Sequence, residues 1–186
     1  MRVGILRVGA VDEEALTEIR SGLCEALPGM ECVILEGSLP IPSDAYSRWR
    51  GQYHSSLILR DVYERALELE VDCVLGVTEV DLYVDYLNFV FGEAQCPGRA
   101  ALISLHRLRP EFYGQPPNRE LFLLRAVKEA VHEVGHAVYG LKHCHNPGCV
   151  MRFSNSILEV DMKGRFLCEK CRSRAEEALL KKRGGG

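Results

Sequence analysis

The sequence predicts an α/β fold: a mixed sheet with an antiparallel edge strand, flanking helices, and a small cysteine-rich element at the C-terminal end. Three observations predict it. Strand-like and helix-like segments alternate through the first half of the chain, the pattern of a sheet covered by helices. Residues 73–77 are almost wholly apolar, as a strand buried on both faces must be. Residues 88–93 and 100–105 read as strands joined by a connection too short for a parallel crossover, so they pair antiparallel.

Taken in order, residues 2–8 form a first strand. Residues 12–27 form a helix: Asp12 is placed to cap it, Ala15, Leu16, Ile19, Leu23 and Leu27 make its apolar face, and Pro28-Gly29 stops it. Residues 32–35 are a second strand. Residues 53–70 are a helix, with Leu57, Leu59, Val62, Ala66 and Leu69 mostly at helical spacing. The buried strand 73–77 follows, and then the antiparallel pair, turning at Cys96-Pro97-Gly98. Residues 120–139 are the longest helical segment. Beyond Gly140 the chain is irregular and cysteine-rich until a last helix at 173–182, and Gly184-Gly185-Gly186 reads as a frayed tail. Cys24, Cys32 and Cys73 fall on apolar faces or strand starts and are expected to pack in the core; Cys96 lies in the turn and is unassigned.

At 186 residues the chain is long enough for one domain with a modest extension. Its hydrophobic content of 47% and charged content of 26% are those of an ordinary globular protein. A net charge of −3 gives no whole-chain attraction to nucleic acid or to an anionic membrane. The C-terminal part has a local basic bias, but Glu169, Glu176 and Glu177 interrupt it and no aromatic ladder accompanies it, so nucleic acid is not an expected partner. No apolar run approaches the roughly 20 residues that span a bilayer. The first segment carries two arginines and no small-residue cleavage site, so it reads as a strand and not a secretion signal. The expected compartment is the reducing cytoplasm, and a monomer is expected. In that compartment clustered cysteines are metal ligands more often than disulfides.

Metal-ligand chemistry is concentrated in the last third of the chain. His132-Glu133-Val134-Gly135-His136 places two imidazoles four residues apart, on one face of a helix and one turn from each other, so both rings reach one ion. Two histidines with a glutamate directly after the first is the zinc-hydrolase arrangement, in which Glu133 is the general base for a water. A catalytic zinc needs a third protein ligand and an open position. His143 is the candidate, with His145 the competing one. On a continuous helix His143 would lie ~10.5 Å along the axis from His136, too far to share an ion, so the helix must break between them. Gly140 is the residue there that tolerates the left-handed conformation that ends helices.

Cys144 and Cys149, with Cys168 and Cys171, make two cysteine pairs separated by a loop, the pattern of a closed four-coordinate structural zinc. Buried thiols and a disulfide pair are the plainer readings of the same residues. Lys142, Arg152, Lys170 and Arg172 adjoin these ligands and can offset the charge of four thiolates. The two clusters meet at His143-Cys144: one residue serves the first site and the next the second, so the structural zinc is expected to fix the loop that presents the third histidine.

These motifs together resemble the metzincin clan of zinc metalloproteases, and within it the archaemetzincins, whose signature joins the catalytic histidines to four cysteines and a Cys-x-Met. Here that element is Cys149-Val150-Met151, followed by Phe153-Ser154-Asn155-Ser156. The resemblance covers His132 to Cys171. It implies a compact metzincin-like zinc-protease domain with two zinc ions: a catalytic one on His132, His136 and His143, and a structural one on Cys144, Cys149, Cys168 and Cys171. It also implies Glu133 as general base and Met151 in a methionine turn under the metal site. Residues 1–140 would be an α/β part ending in the active-site helix. Residues 141–186 would carry the third histidine, the turn and the cysteine site, within one catalytic domain. The implied substrate is a peptide or protein, paired as an added strand along 88–93 or 100–105; the alternative is a catalytically silent zinc module that binds such a partner. Neither Tyr113 nor Tyr139 is expected to serve as an oxyanion donor. The general metzincin pattern has two residues between the second histidine and the glycine, whereas Ala137-Val138-Tyr139 makes three. Either the helix runs one residue longer, adding ~1.5 Å and ~100° of rotation, or a bulge absorbs the extra residue.

Overall fold

The computed structural model describes residues 1–183, with side chains through residue 181; the expected tail at 184–186 lies outside the described residues. The elements in chain order are β1 (Arg2–Val8), α1 (Glu13–Ala26), β2 (Glu31–Leu39), β3 (Tyr46–Ser47), β4 (Gln52–His54), α2 (Ser55–Leu67) and β5 (Cys73–Thr78). Then come β6 (Leu82–Val84), β7 (Leu87–Val90), β8 (Gly92–Ala94), β9 (Ala100–Ser104), α3 (Arg119–Tyr139), α4 (Ile157–Met162) and α5 (Glu169–Arg183).

The main sheet has the order β2-β1-β5-β9-β8. Its first four strands run parallel, and β8 pairs antiparallel with β9 at the edge, with Glu93 opposite Leu102. This is the expected mixed sheet with an antiparallel edge. Alternation along the strands sorts side chains onto two faces. Val3 and Ile5 of β1, Leu75 and Val77 of β5, and Ala101 and Ile103 of β9 pack with α1 and α3. Leu6 and Val8, Val74, and Ala100 and Leu102 face the other way, toward α2. Burial on both faces explains why residues 73–77 carry no polar alternation. Asp12 caps α1 as expected, accepting from the Ala15 N–H at 3.1 Å.

Five differences separate the structure from the sequence-based expectations. A second, four-stranded sheet, β3-β4-β6-β7, was not legible, because its strands are two to four residues long. Its strand β4 takes residues 53 and 54 out of the expected helix 53–70, so α2 begins only at Ser55. It also splits the expected strand 88–93: β7 belongs to the small sheet and β8 to the large one, with the chain passing between them at buried Phe91, whose carbonyl accepts from Ser104 N–H. Finally, α5 begins at Glu169, ahead of the expected 173, and α4 was not expected at all. Of the cysteines expected in the core, Cys73 is buried, Cys32 is half-buried, and Cys24 is exposed because it falls outside the α1 stripe made by Leu16, Ile19 and Leu23.

Helix α3 is the structural centre. Every residue from Arg125 to Tyr139 is buried, and Asn118 caps its start by accepting from Leu121 N–H. Burial of the apolar side chains on it, Phe122, Val131, Val134 and Val138 among them, contributes roughly 1.5–3 kcal/mol each. Its buried charges tie down α4. Arg125 makes a two-pronged ion pair with Asp161 at 2.6–2.7 Å, and Lys128 donates to the carbonyls of Val160 and Asp161. Lys163, just past α4, reaches back to Glu129 at 2.8 Å, with both side chains almost wholly buried. A short helix of six residues is marginal alone; these clamps hold it against α3.

Candidate metal centres

Helix α3 runs through Tyr139 without a bulge and stops at Gly140, whose φ of +65° is left-handed. Gly140 N–H bonds to the carbonyls of His136 and Gly135, and Leu141 N–H bonds to Gly135 O, so donors at and just past the glycine satisfy carbonyls of the last turn. The extra residue relative to the general metzincin spacing is therefore absorbed by a longer helix. The chain then turns back, and His143 comes to face the two helical histidines.

His132, His136 and His143 each present a ring nitrogen, and these three atoms lie within 4.8 Å of one another. His145 is exposed and lies outside this group. The Nε2 atoms of His132 and His136 are 3.0 Å apart. His132 Nδ1 faces the Val150 carbonyl at 2.8 Å, and His136 Nδ1 faces the Leu141 carbonyl at 2.5 Å. A carbonyl only accepts, so each Nδ1 carries the proton and each Nε2 presents a bare lone pair. Burial, together with nearby Lys163, holds His132 well below the ordinary histidine range; burial also pushes His136 down to about 4 and lowers His143. All three are thus neutral at pH 7. Two lone pairs held face to face cannot bond to each other and repel unless a cation lies between them. Nitrogens around one zinc, with Zn–N near 2 Å, are about 3.3 Å apart, so the donor set fits that ion.

Glu133 lies on the same helix, turned toward β8. It packs against Gly92 so closely that a Cβ there would sit 2.6 Å from Glu133 Cγ and 2.7 Å from the Leu102 carbonyl oxygen. Burial, reinforced by Glu129 and Glu93, raises its carboxyl well above the ordinary range, while Lys163 opposes that rise. The Glu93 carboxylate is occupied by the hydroxyls of Ser55 and Ser56 at the start of α2. The histidines and Glu133 open onto a cavity of about 380 Å³. Val84, Tyr86, Leu87 and Phe89 from the β6–β7 hairpin form one apolar wall, and Phe153 and Asn155 stand on the segment after Met151. Cys96 is at the rim, 3.4 Å from the Leu141 carbonyl and 3.6 Å from Lys142 Nζ. Tyr113 and Tyr139 spend their hydroxyls on the carbonyls of Arg107 and Pro28, and neither lines the cavity.

The second group comprises Cys144, Cys149, Cys168 and Cys171, whose sulfurs also lie within 4.8 Å of one another. Cys144 Sγ and Cys168 Sγ are 3.8 Å apart, the spacing of about 3.8 Å that Zn–S bonds near 2.3 Å give in a tetrahedron. Burial alone would raise the Cys168 thiol, but donation from Cys171 N–H and from the neighbouring thiols brings it down to about 7; burial pushes Cys149 and Cys171 up. Met151 is fully buried, and its Sδ lies only 2.7 Å from where a Cβ on Gly135 would stand.

Sequence reasoning reached the residues of both groups but missed their supports. The carbonyls of Val150 and Leu141 carry no side-chain signature. Gly92 and the hairpin wall arrive from distant parts of the chain. Glu129 alone had a signal: it lies three and four residues before His132 and Glu133, on the same face of α3.

The model of peptidase family M54 matches residues 26–177. An archaemetzincin from Methanocaldococcus jannaschii is 49% identical over 183 residues, covering 95% of this chain and 94% of that one. Among solved structures, an archaemetzincin from Methanopyrus kandleri superposes with a TM-score of 0.82 at 36% identity, covering 97% of this chain and 96% of the other. The archaemetzincin from Archaeoglobus fulgidus, crystallised with malonate, gives 0.78 at 37% identity over 94% and 99%. The chain therefore belongs to peptidase family M54, the archaemetzincins, a family of zinc metallopeptidases.

Proposed function

We propose that this chain hydrolyses peptide bonds with Glu133 as general base, that His132, His136 and His143 hold a catalytic zinc, and that the four cysteines hold a structural one. The observation that carries the reading is the pair of Nε2 lone pairs 3.0 Å apart, each fixed by an Nδ1–H bonded to a backbone carbonyl. Zinc in such a site supplies a Lewis acid that acidifies water and polarises a carbonyl. The chain's own residues do the rest. Glu133, held by its packing against Gly92, takes a proton from the attacking water and passes it to the leaving amine. Its burial suits that task, because the raised basicity of the carboxylate favours taking a proton from water.

The substrate is an extended peptide. β8 is the terminal strand of its sheet and runs beside the cavity, so its outer edge offers backbone groups for strand addition; β9, the other candidate, is interior. Side chains of such a peptide alternate, and one that points up meets the apolar hairpin wall of Val84, Leu87 and Phe89. An apolar residue flanking the scissile bond fits it. We place the protein in the cytoplasm as a monomer; among the described residues, no helix is long and apolar enough to cross a membrane.

The test is metal analysis joined to cleavage of a diverse peptide library. The unmodified chain should bind two zinc ions. Glu133→Ala should keep both and abolish cleavage. Two bound zincs with no peptide cleaved by the unmodified chain would refute the enzyme reading in favour of a silent binding module.

A further inference from the structure

The two metal groups are joined by more than the dipeptide His143-Cys144. His132 is oriented by the carbonyl of Val150 at 2.8 Å, and Val150 directly follows Cys149. Val150 is itself held by donating its N–H to Phe166 O, two residues before Cys168. Cys168 N–H in turn donates to Cys149 Sγ at 3.3 Å. On the other side, Cys144 N–H bonds to Met151 O at 2.9 Å, closing the loop that contains Cys149 and presents His143. Two of the three histidines are therefore placed by residues adjacent to a cysteine of the second group. The third, His136, is placed by Leu141 O at the end of α3.

Loop 144–151 is anchored at its far end by buried Cys149, Val150 and Met151 and by Gly164 N–H donating to Gly148 O, while its outer part is held by local turns. Residues 141–150 form no helix or strand, and His145, Asn146, Pro147 and Gly148 are exposed. Cys144 and Cys149 tie both ends of the loop to sulfurs from the start of α5. Four sulfurs within 4.8 Å of one another are the donor set of a four-coordinate zinc, whose charge would offset the repulsion of their thiolates.

We propose that a metal in the four-cysteine group raises the affinity of the three-histidine group for its own metal, with Val150 as the positioning residue that transmits the effect through its carbonyl. This rests on the reading that both groups bind metal. The logic is that of an outer-shell hydrogen bond to a ligating histidine, whose loss costs about 10- to 100-fold in metal affinity. It extends past the shared dipeptide: the link to His132 runs through backbone atoms, so no side-chain substitution at position 150 reproduces it.

The experiment uses the full chain, stripped of metal and titrated with zinc against a competing chelator. Cys171→Ser is the first variant, because Cys171 lies on α5, away from the loop that carries His143 and Val150. It should empty the four-cysteine group and weaken zinc binding by the histidines at least about 10-fold. In the same variant the His132 Nδ1–H proton, followed by NMR on imidazole-labelled protein, should exchange faster with water because its Val150 acceptor has moved. Unchanged exchange and a histidine-site affinity within about 2-fold of the unmodified chain would overturn the proposal. If Cys171→Ser fails to fold, reciprocity decides the matter: coupling between two binding sites is the same in both directions. His143→Ala, at an exposed position, should then weaken zinc retention by the cysteines, and unaltered retention would sink the idea. None of these readouts uses peptide cleavage. Coupling can thus fail while the enzyme reading stands; if the histidines of the unmodified chain take no zinc, both fall together.

Discussion

Gly92→Ala probes how Glu133 is held. A methyl group at this position would stand 2.6 Å from Glu133 Cγ and 2.8 Å from its Oε1, against about 3.5–4.0 Å for carbon atoms in ordinary contact. It would also stand 2.7 Å from the Leu102 carbonyl oxygen, which belongs to the β8–β9 ladder and yields little. Relief therefore comes mainly from Glu133, displaced by about 1 Å, a misplacement that costs on the order of 10²-fold in rate at a reacting centre. Forcing a methyl into packed space costs about 1–3 kcal/mol, or roughly 2–4 °C of melting temperature per kcal/mol for a chain of this size. The assay is kcat/KM on a cleavable peptide, with zinc content and thermal melting measured on the same preparation. Expected are two zincs, a modest fall in melting temperature and a large fall in kcat. A double-mutant cycle adds a check. In a Glu133→Ala background, where Cγ is absent, Gly92→Ala should destabilise less, leaving only the clash with Leu102. Full activity with an unchanged melting temperature in Gly92→Ala would refute the packing argument, as would a cycle with no coupling.

Asp161→Ala removes the partner of Arg125, whose side chain is only 2% exposed, and should cost about 3–5 kcal/mol; the paired change Arg125→Met with Asp161→Leu should recover most of it in denaturant melts. The pair Asp12–Arg119 gives a pH test. Hydrogen bonding to Arg119 lowers Asp12 to about 2 in the folded chain, against about 3.9 unfolded. A depressed folded value contributes stability that is complete above pH ~4 and disappears as pH falls toward 2. Arg119→Met should thus cost about 1 kcal/mol at pH 7, a figure reduced by solvent screening of this partly exposed pair, and only a small part of that at pH 2, where Asp12 is half protonated, measured by urea melts across that range. Chelation of zinc should lower the melting temperature of the unmodified chain by a larger step than that of Cys171→Ser, since the variant has already lost one site; equal steps would argue against a structural ion on the cysteines.

Residues close in sequence were read correctly where a local rule governs them. His132 and His136 share a face because a helix repeats every 3.6 residues, and the helix stops at Gly140 because a left-handed φ is open to glycine there. The parallel core strands and their antiparallel edge announced themselves through apolar runs and a short connection. The small second sheet did not, because strands of two to four residues carry too little pattern, and its claim on residues 52–54 and 87–90 moved two expected boundaries.

The sequence by itself determined the chemistry: which residues can hold metal, which carboxylate stands beside them, and that a helix and a glycine stop present them. Only the tertiary structure decided the supports. The carbonyl of Val150 that sets the His132 proton, the empty space at Gly92 that Glu133 fills, and the Lys163–Glu129 pair under the cavity all join residues well separated along the chain, and the carbonyl of Leu141 reaches His136 only because the chain turns back after Gly140. The physical reason is range. Side-chain type and helical period are properties of a few consecutive residues, whereas a backbone acceptor or a missing Cβ acquires its role from whichever distant atom the fold brings against it.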